Sequence, residues 1–372
     1  MAVCLFSCKS QNTNTTVSFD SLIKHFQEST NTKDSVWFPL WFFKNSDSVS
    51  IKISDNPIVF ELKEIVLKNP HKNSISYENL PISYSIIYQN KLVSLFETGF
   101  ACFSIPEMKR DADFEKTINT KKFQYHWVLD NELVAISEGE YYTLNAENVW
   151  IEYTETIPFK NQPKLFEDSL YLSFCDCYGE FGGTAYFYNK ETKNIHFTSA
   201  TCANTIFKEN NTYFILSHLG HMLGGTDLKS ISNPSELPII EPQNVNQWHK
   251  YKRQGYEIEE AWGYLDSSGK AKTVFDFYGL QIFATFVSQG RTIYVVYWND
   301  TTFLAEIENN RIKIVNPLFN NRIYPRSELL TTNYGEITLI NFNYRVHEFR
   351  EMSCMLVYNN QLLKIDWNEK RD

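Results

Sequence analysis

An all-β propeller of about seven four-stranded blades is the fold this sequence predicts, with six or eight as the alternatives. Three observations carry it. A turn signal followed by an apolar-rich strand returns about every forty residues, the period of blades that need their neighbours to bury their faces. Aromatic residues make up 16 % of the chain, which suits pleated surfaces where Tyr, Phe and Trp pack across neighbouring strands. Within a unit the same order recurs, four short strands separated by Asn/Asp/Gly/Lys turns.

Residues 1 to 17 read as a segment apart. A short apolar run leads to Leu5-Phe6-Ser7-Cys8 and then to a polar Ser/Asn/Thr stretch. Leu-x-Ser-Cys resembles the lipobox of bacterial lipoproteins, here with only seven residues before Cys8 and no basic leader. The resemblance implies that Cys8 is lipidated, that Thr13 to Thr16 belong to a flexible tether, and that the protein sits in the bacterial cell envelope, on its periplasmic side or surface. Without such processing the chain reads as cytoplasmic with a loose tail. No other span approaches the about eighteen apolar residues of a transmembrane helix.

Residues 18 to 372 read as one propeller domain, with 18 to 77 preceding repeat units over 78 to 367. Phe19, Leu22, Ile23 and Phe26 form an i, i+3, i+4, i+7 stripe, which predicts a short helix over 18 to 30 with Ser18 as its N-cap. Runs at 36 to 43, 48 to 54 and 58 to 67 read as strands, either a further blade or the strand that closes the ring. Then come the repeats. Gln89-Asn90 precedes KLVSLFE, Asp130-Asn131 precedes ELVAISE, Glu167-Asp168 precedes SLYLSFC, and Asn210-Asn211 precedes TYFILSH. Fainter copies stand at Gln254-Gly255, Gln289-Gly290 and Tyr334-Gly335, so the second turn residues lie 41, 37, 43, 44, 35 and 45 apart. The signatures of the WD40 and kelch families are absent.

Composition narrows the function. A formal charge of -9 disfavours nucleic acid, which is held through clustered Lys and Arg. The one basic cluster, His249 to Arg253, reads as a solvated loop. Counting seven residues past each turn gives Glu97, Glu138, Cys175, His218, Trp262, Tyr297 and Phe342, all where the loop from second to third strand begins. Carboxylate, thiolate and imidazole bind metals and move protons. Cys175-x-Cys177 with His218-x-x-His221 offers four ligands of the kind zinc takes, although the spacings are not the standard ones. The bland alternative is buried Cys, backbone-bonded His and glycines that let the loops turn. Among the seven Cys residues, one bridge from Cys202 to Cys175 or Cys177 is the pairing considered for an exported protein.

Two function classes follow. One is a non-enzymatic binding module, tethered to the envelope and expected to be monomeric. It would recognise a peptide, glycan or partner protein on the face carrying the 175 to 183 and 218 to 225 loops, with Glu97, Glu138, Trp262 and Tyr297 as candidate ligand contacts. The alternative is a metal- or thiol-dependent hydrolase or lyase centred on Cys175, Cys177, His218 and His221 with Glu97 and Glu138. No hydrolase or kinase motif is present, which favours the binding module.

Overall fold

Among the described residues six sheets are arranged as the blades of a propeller, not the favoured seven but one of the alternatives the sequence allows. The computed structural model describes residues 36–37, 50–71, 80–220, 224–245, 249–253, 256–260, 262–298, 301–308, 311–318, 329–346 and 349–367. The tether with Cys8, the helix read over 18 to 30, and His221 lie outside the described residues.

Blade 1 holds Ile86–Tyr88, Lys91–Phe96 and Gly99–Ser104. Blade 2 holds Tyr125–Leu129, Glu132–Ser137, Glu140–Leu144 and Trp150–Glu152. Blade 3 follows with Lys164–Glu167, Tyr171–Cys177, Gly183–Asn189 and Ile195–Ser199. Blade 4 is Ala203–Glu209, Thr212–Leu219, Gly225–Ile231 and, after a long insertion, Lys272–Tyr278. Blade 5 is Gln281–Ser288, Arg291–Trp298, Thr301–Glu308 and Arg311–Pro317. Leu329–Tyr334, Ile337–Val346, Phe349–Tyr358 and Gln361–Asp366 complete blade 6. Every neighbouring pair within these meanders is antiparallel.

The recurring turns owe their residue types to backbone sign. Gln89-Asn90, Asp130-Asn131, Asn210-Asn211, Gln289-Gly290 and Asn359-Asn360 all have positive φ at both positions. That is the two-residue hairpin turn whose twist matches the flanking strands, and Asn, Asp and Gly tolerate it best. The miscount comes from the insertion between the third and fourth strands of blade 4. It is about one repeat long and contains a hairpin, His249–Arg253 with Tyr256–Glu260, that forms a two-stranded sheet of its own. Period and turn chemistry alone cannot tell such a hairpin from a blade. The basic cluster read as a loop is therefore one of its strands. The insertion also lends Ile239–Ile240 to the outer edge of blade 3.

Blade 1 departs from the pattern at its outer edge, where a helix, Ala112–Ile118, takes the place of a fourth strand. Asp111 caps it by accepting from the Phe114 N–H at 3.0 Å. Its buried Glu115 accepts from the Cys102 N–H and from Arg110 in a bidentate pair. Phe114 and Ile118 fill the seam toward blade 2.

Residues 50–66 neither form a blade nor insert a closing strand. Ser50–Ile53 adds to the outer strand of blade 5, and Glu61–Val66 adds to the outer strand of blade 6, both in parallel. Between them Ile58 and Phe60 are buried in the seam between those two blades, with Phe60 edge-on to Phe286 at 5.7 Å. The core is thus divided into apolar seams, one between each pair of neighbouring blades. The ring closes without strand exchange. Blade 1 packs on blade 6 through Leu92, Phe96, Leu356, Ile365 and Trp367, and Asn341 exchanges two hydrogen bonds with the Ser85 backbone at 3.0 and 3.1 Å.

Candidate functional site

The first strand of every blade contributes to a bowl at one end of the ring's centre, and a separate cavity lies at the other end. At one end the two-residue turns surround a bowl of about 1000 Å³ lined by Asp130, Lys164, Glu167, Asp168, Lys208 and Tyr334 among others. Its charges are tied between blades. Lys190 of blade 3 bridges Asp130 and Glu167, Lys164 bonds Glu167 and the Val128 carbonyl, and Lys208 and Tyr213 of blade 4 both bond Asp168. Burial works against ionisation of Asp168, but donors from Tyr171, Tyr213, Lys208 and Leu170 outweigh it and hold its carboxyl below the usual range. These groups already serve as blade-to-blade fasteners.

At the opposite end lies a cavity of about 430 Å³, on the face where the loops after the second strands emerge. Its walls are Tyr84, Tyr125, Gln124, Asn161, Gln162 and Asp176, with Ile82, Pro163 and Leu329 as apolar surface. Cys175, Cys177 and Cys202 complete it. Asp176 is 6 % exposed and accepts from the Tyr186 hydroxyl at 2.8 Å and from Gln162 Nε2 at 3.3 Å. Tyr178 is a further hydrogen-bond partner, and burial followed by the charge of Asp176 pushes the Tyr178 hydroxyl far up. Tyr84 and Tyr125 stand at the starts of the inner strands of blades 1 and 2.

Of the residues singled out in the sequence, Cys175 and Cys177 do reach this cavity. Cys177 is joined to Cys202, which settles which of the two cysteines pairs and ties blade 3 to blade 4. Cys175 stays a thiol, buried, donating to the Ala203 carbonyl at 3.2 Å. His218 is buried at the next junction, where Nε2 donates to Gln281 Oε1 at 2.9 Å. Burial pushes it down to about 4, the Gln281 bond opposing, so the ring is neutral at pH 7. Glu97 and Glu138 are exposed past the second strands of blades 1 and 2, and neither lines the cavity. Trp262 lies on the insertion beside blade 3, whereas Tyr297 is on blade 5, packed toward the seam with blade 6. Among the described residues no group of three or more His, Cys, Asp or Glu side chains could hold a metal ion.

The shared register does have a physical meaning. The end of each second strand abuts the start of the next blade's first strand, so polar residues there become locks. His218 with Gln281 is such a pair at the register position, and Cys177 with Cys202 and Asn341 with Ser85 are pairs two residues and one residue off it. A different contact between blades 1 and 2 comes from His126 on the inner strand of blade 2, which bonds Ser83 Oγ at 2.8 Å and reaches the Val93 carbonyl. The glycines follow the same logic. A Cβ on Gly183 would stand 2.5 Å from the Ala200 and Asp176 carbonyls, and one on Gly263 would strike the Gly183 backbone. Gly224, at φ +75°, leaves the space that the Gln281 side chain fills. Gly183 and Gly224 therefore serve close packing.

The cavity's own residues were missed, although a signal for them exists. Counting six residues back from the turn, rather than seven forward, lands on Tyr84, Tyr125, Gln162 and Leu329, which line it, and in blades 4 and 5 on Thr205 and Ala284, which do not.

No protein-family model matches this chain, and no curated protein does. Among solved structures it is similar to the N-terminal domain of Nup159, with a TM-score of 0.32 and 11 % identity over 84 % of this chain and 87 % of that one. It is similar also to the extracellular domain of a putative one-component system from B. thetaiotaomicron, with a TM-score of 0.31 and 14 % identity over 73 % of this chain and 38 % of that one. A third is the AfRom2 CNH domain, with a TM-score of 0.32 and 7 % identity over 73 % and 92 %.

Proposed function

We propose that this protein is a non-enzymatic binding module that takes a peptide, a glycan or a segment of a partner protein at the end of the ring carrying the 175–183 loop. The observation behind this reading is the cavity of about 430 Å³ walled by Tyr84, Tyr125, Gln162 and Asp176. Rings, amides and one carboxylate around a concave space orient a ligand without requiring chemistry of it. The reactive side chains nearby are occupied in holding blades together, Cys177 in a disulfide and His218 on Gln281.

The same reading puts the protein in an oxidising compartment, the bacterial envelope, where a disulfide such as Cys177–Cys202 persists. Cys8 is its lipid anchor in this account. The test is to probe glycan and peptide arrays with labelled protein and with a Tyr84→Ala/Tyr125→Ala variant. Wild type should capture a coherent set of ligands that the variant loses. Capture that survives both substitutions would move the site elsewhere.

A further inference from the structure

We infer that the bowl at the hairpin-turn end of the ring is a second binding site and that its ligand is a neutral carbohydrate chain. This site goes beyond the cavity at the opposite end and stands or falls separately from it. Charge decides the ligand class first. Lys164 bonds Glu167 at 2.9 Å, Lys190 bonds Asp130 at 2.6 Å and Glu167 at 2.8 Å, and Lys208 bonds Asp168 at 3.0 Å. The Tyr213 hydroxyl and the Leu170 and Tyr171 N–H groups also donate to Asp168. An ionic ligand entering the bowl meets charges already bonded to one another and has to compete with those bonds. Glu209, the remaining acid of the wall, is exposed, and there water and salt screen it.

The uncharged part of the wall suits a sugar. Asn90, Asn131 and Ser169 line it from the turns of blades 1, 2 and 3, all exposed. A side-chain amide donates and accepts at once, as the neighbouring hydroxyls of a sugar require. Phe166 and Phe207, half-buried on the first strands of blades 3 and 4, supply aromatic surface for the C–H face of a sugar ring, and Val287 of blade 5 adds an exposed apolar side chain. Both rings are already braced, Phe207 stacked on Phe214 at 5.1 Å and Phe166 edge-on to Tyr213 at 5.7 Å, so binding need not order them. A volume of about 1000 Å³, walled by all six blades, gives room for several sugar units. A bowl rimmed by turn tips suits none of the usual modes of peptide capture, which use a strand edge, a long apolar groove or a charged cluster.

The experiment is to probe an array of neutral, acidic and amino-bearing glycans and of peptides with the labelled full chain, with Asn131→Gly/Phe207→Leu, and with Tyr84→Ala/Tyr125→Ala at the opposite cavity. Gly keeps the left-handed turn while removing the amide, and Leu keeps apolar bulk while removing the ring. Wild type should capture neutral oligosaccharides, with a signal that changes less than about twofold between about 50 and about 500 mM salt, since no ion pair forms. Asn131→Gly/Phe207→Leu should weaken that capture about tenfold, as loss of a hydrogen bond and a ring contact implies, whereas Tyr84→Ala/Tyr125→Ala should keep it. Capture of charged glycans or peptides alone, or no capture at all, overturns the carbohydrate site. So does neutral-glycan capture that Asn131→Gly/Phe207→Leu leaves intact; if Tyr84→Ala/Tyr125→Ala then abolishes it, the ligand belongs to the opposite cavity and the proposed function stands. Should Asn131→Gly/Phe207→Leu fail to fold by circular dichroism, Ser169→Trp, which fills the bowl from an exposed turn position, takes its place.

Discussion

Reducing the Cys177–Cys202 bridge should loosen the protein by an amount the structure allows to be worked out. The bond closes a loop of 25 residues. The chain-entropy relation gives about 12 cal/mol/K lost from the unfolded state, or about 3.5 kcal/mol at 25 °C. With an unfolding entropy of about 2.1 cal/mol/K per residue over 372 residues, this corresponds to a fall in Tm of about 4 to 5 °C. Differential scanning calorimetry with and without a phosphine reductant measures it. Cys177→Ser/Cys202→Ser should start at the lower Tm and be indifferent to reductant. Peptide mapping without reduction should return the two cysteines in one linked fragment. A reductant shift that persists undiminished in the double variant would refute the reasoning, because the three other described cysteines, Cys102, Cys175 and Cys354, are in the thiol form.

Acid should weaken the protein in a defined window. His126 and His218 are pushed down to about 4 by burial, whereas an unfolded His titrates near 6.5. Between those values the unfolded chain binds more protons, so stability is full above pH 6.5 and falls toward pH 4, by about 3 kcal/mol for each. Tm against pH should be flatter in His218→Gln, and a profile already flat in the wild type would sink the idea. Gly263→Ala should cost about 1 to 3 kcal/mol or more, because the new methyl meets the Gly183 backbone rather than a movable side chain. Urea unfolding reads this, and Gly269→Ala, in open space but at φ +68°, is the comparison that separates crowding from backbone strain. Phe60→Ala should cost about 3 to 5 kcal/mol by emptying the seam between blades 5 and 6, and an unchanged urea midpoint would show that the seam does not depend on it.

Much of the fold was legible because its signals are local. Asn90, Asn131 and Asn211 each occupy a left-handed position that few residues accept, so the inner hairpins announce themselves. Strand limits in blades 2 and 3 follow from alternation and turns over a few residues. What was illegible depends on partners far along the chain. Tyr256–Glu260 looks like a blade strand until it is seen that, among the described residues, it pairs with its own hairpin. Nothing within Glu61–Val66 announces that it pairs in parallel with Gln361–Asp366. The site was half legible. Loop starts drew attention to Cys175 and His218 by their chemistry, but chemistry does not say whether a side chain faces a cavity or a neighbouring blade. Tyr84, Tyr125 and Gln162 are ordinary residues whose importance comes from position in the ring.

The parallel strap across blades 5 and 6 also has a consequence in time. Ser50 must wait for Arg311, and Glu61 for Gln361, before either strand can join its blade. At about 5 to 20 residues per second, the strap leaves the ribosome on the order of tens of seconds before the strands that receive it. Throughout that interval Ile58 and Phe60 are apolar side chains without a seam, and the backbone groups beside them are open to other chains. The last event of maturation is then the docking of an early segment onto late blades, a long-range closure of the slow kind. Substitutions in the strap should accordingly act on yield and aggregation during synthesis more than on the ring once it is made.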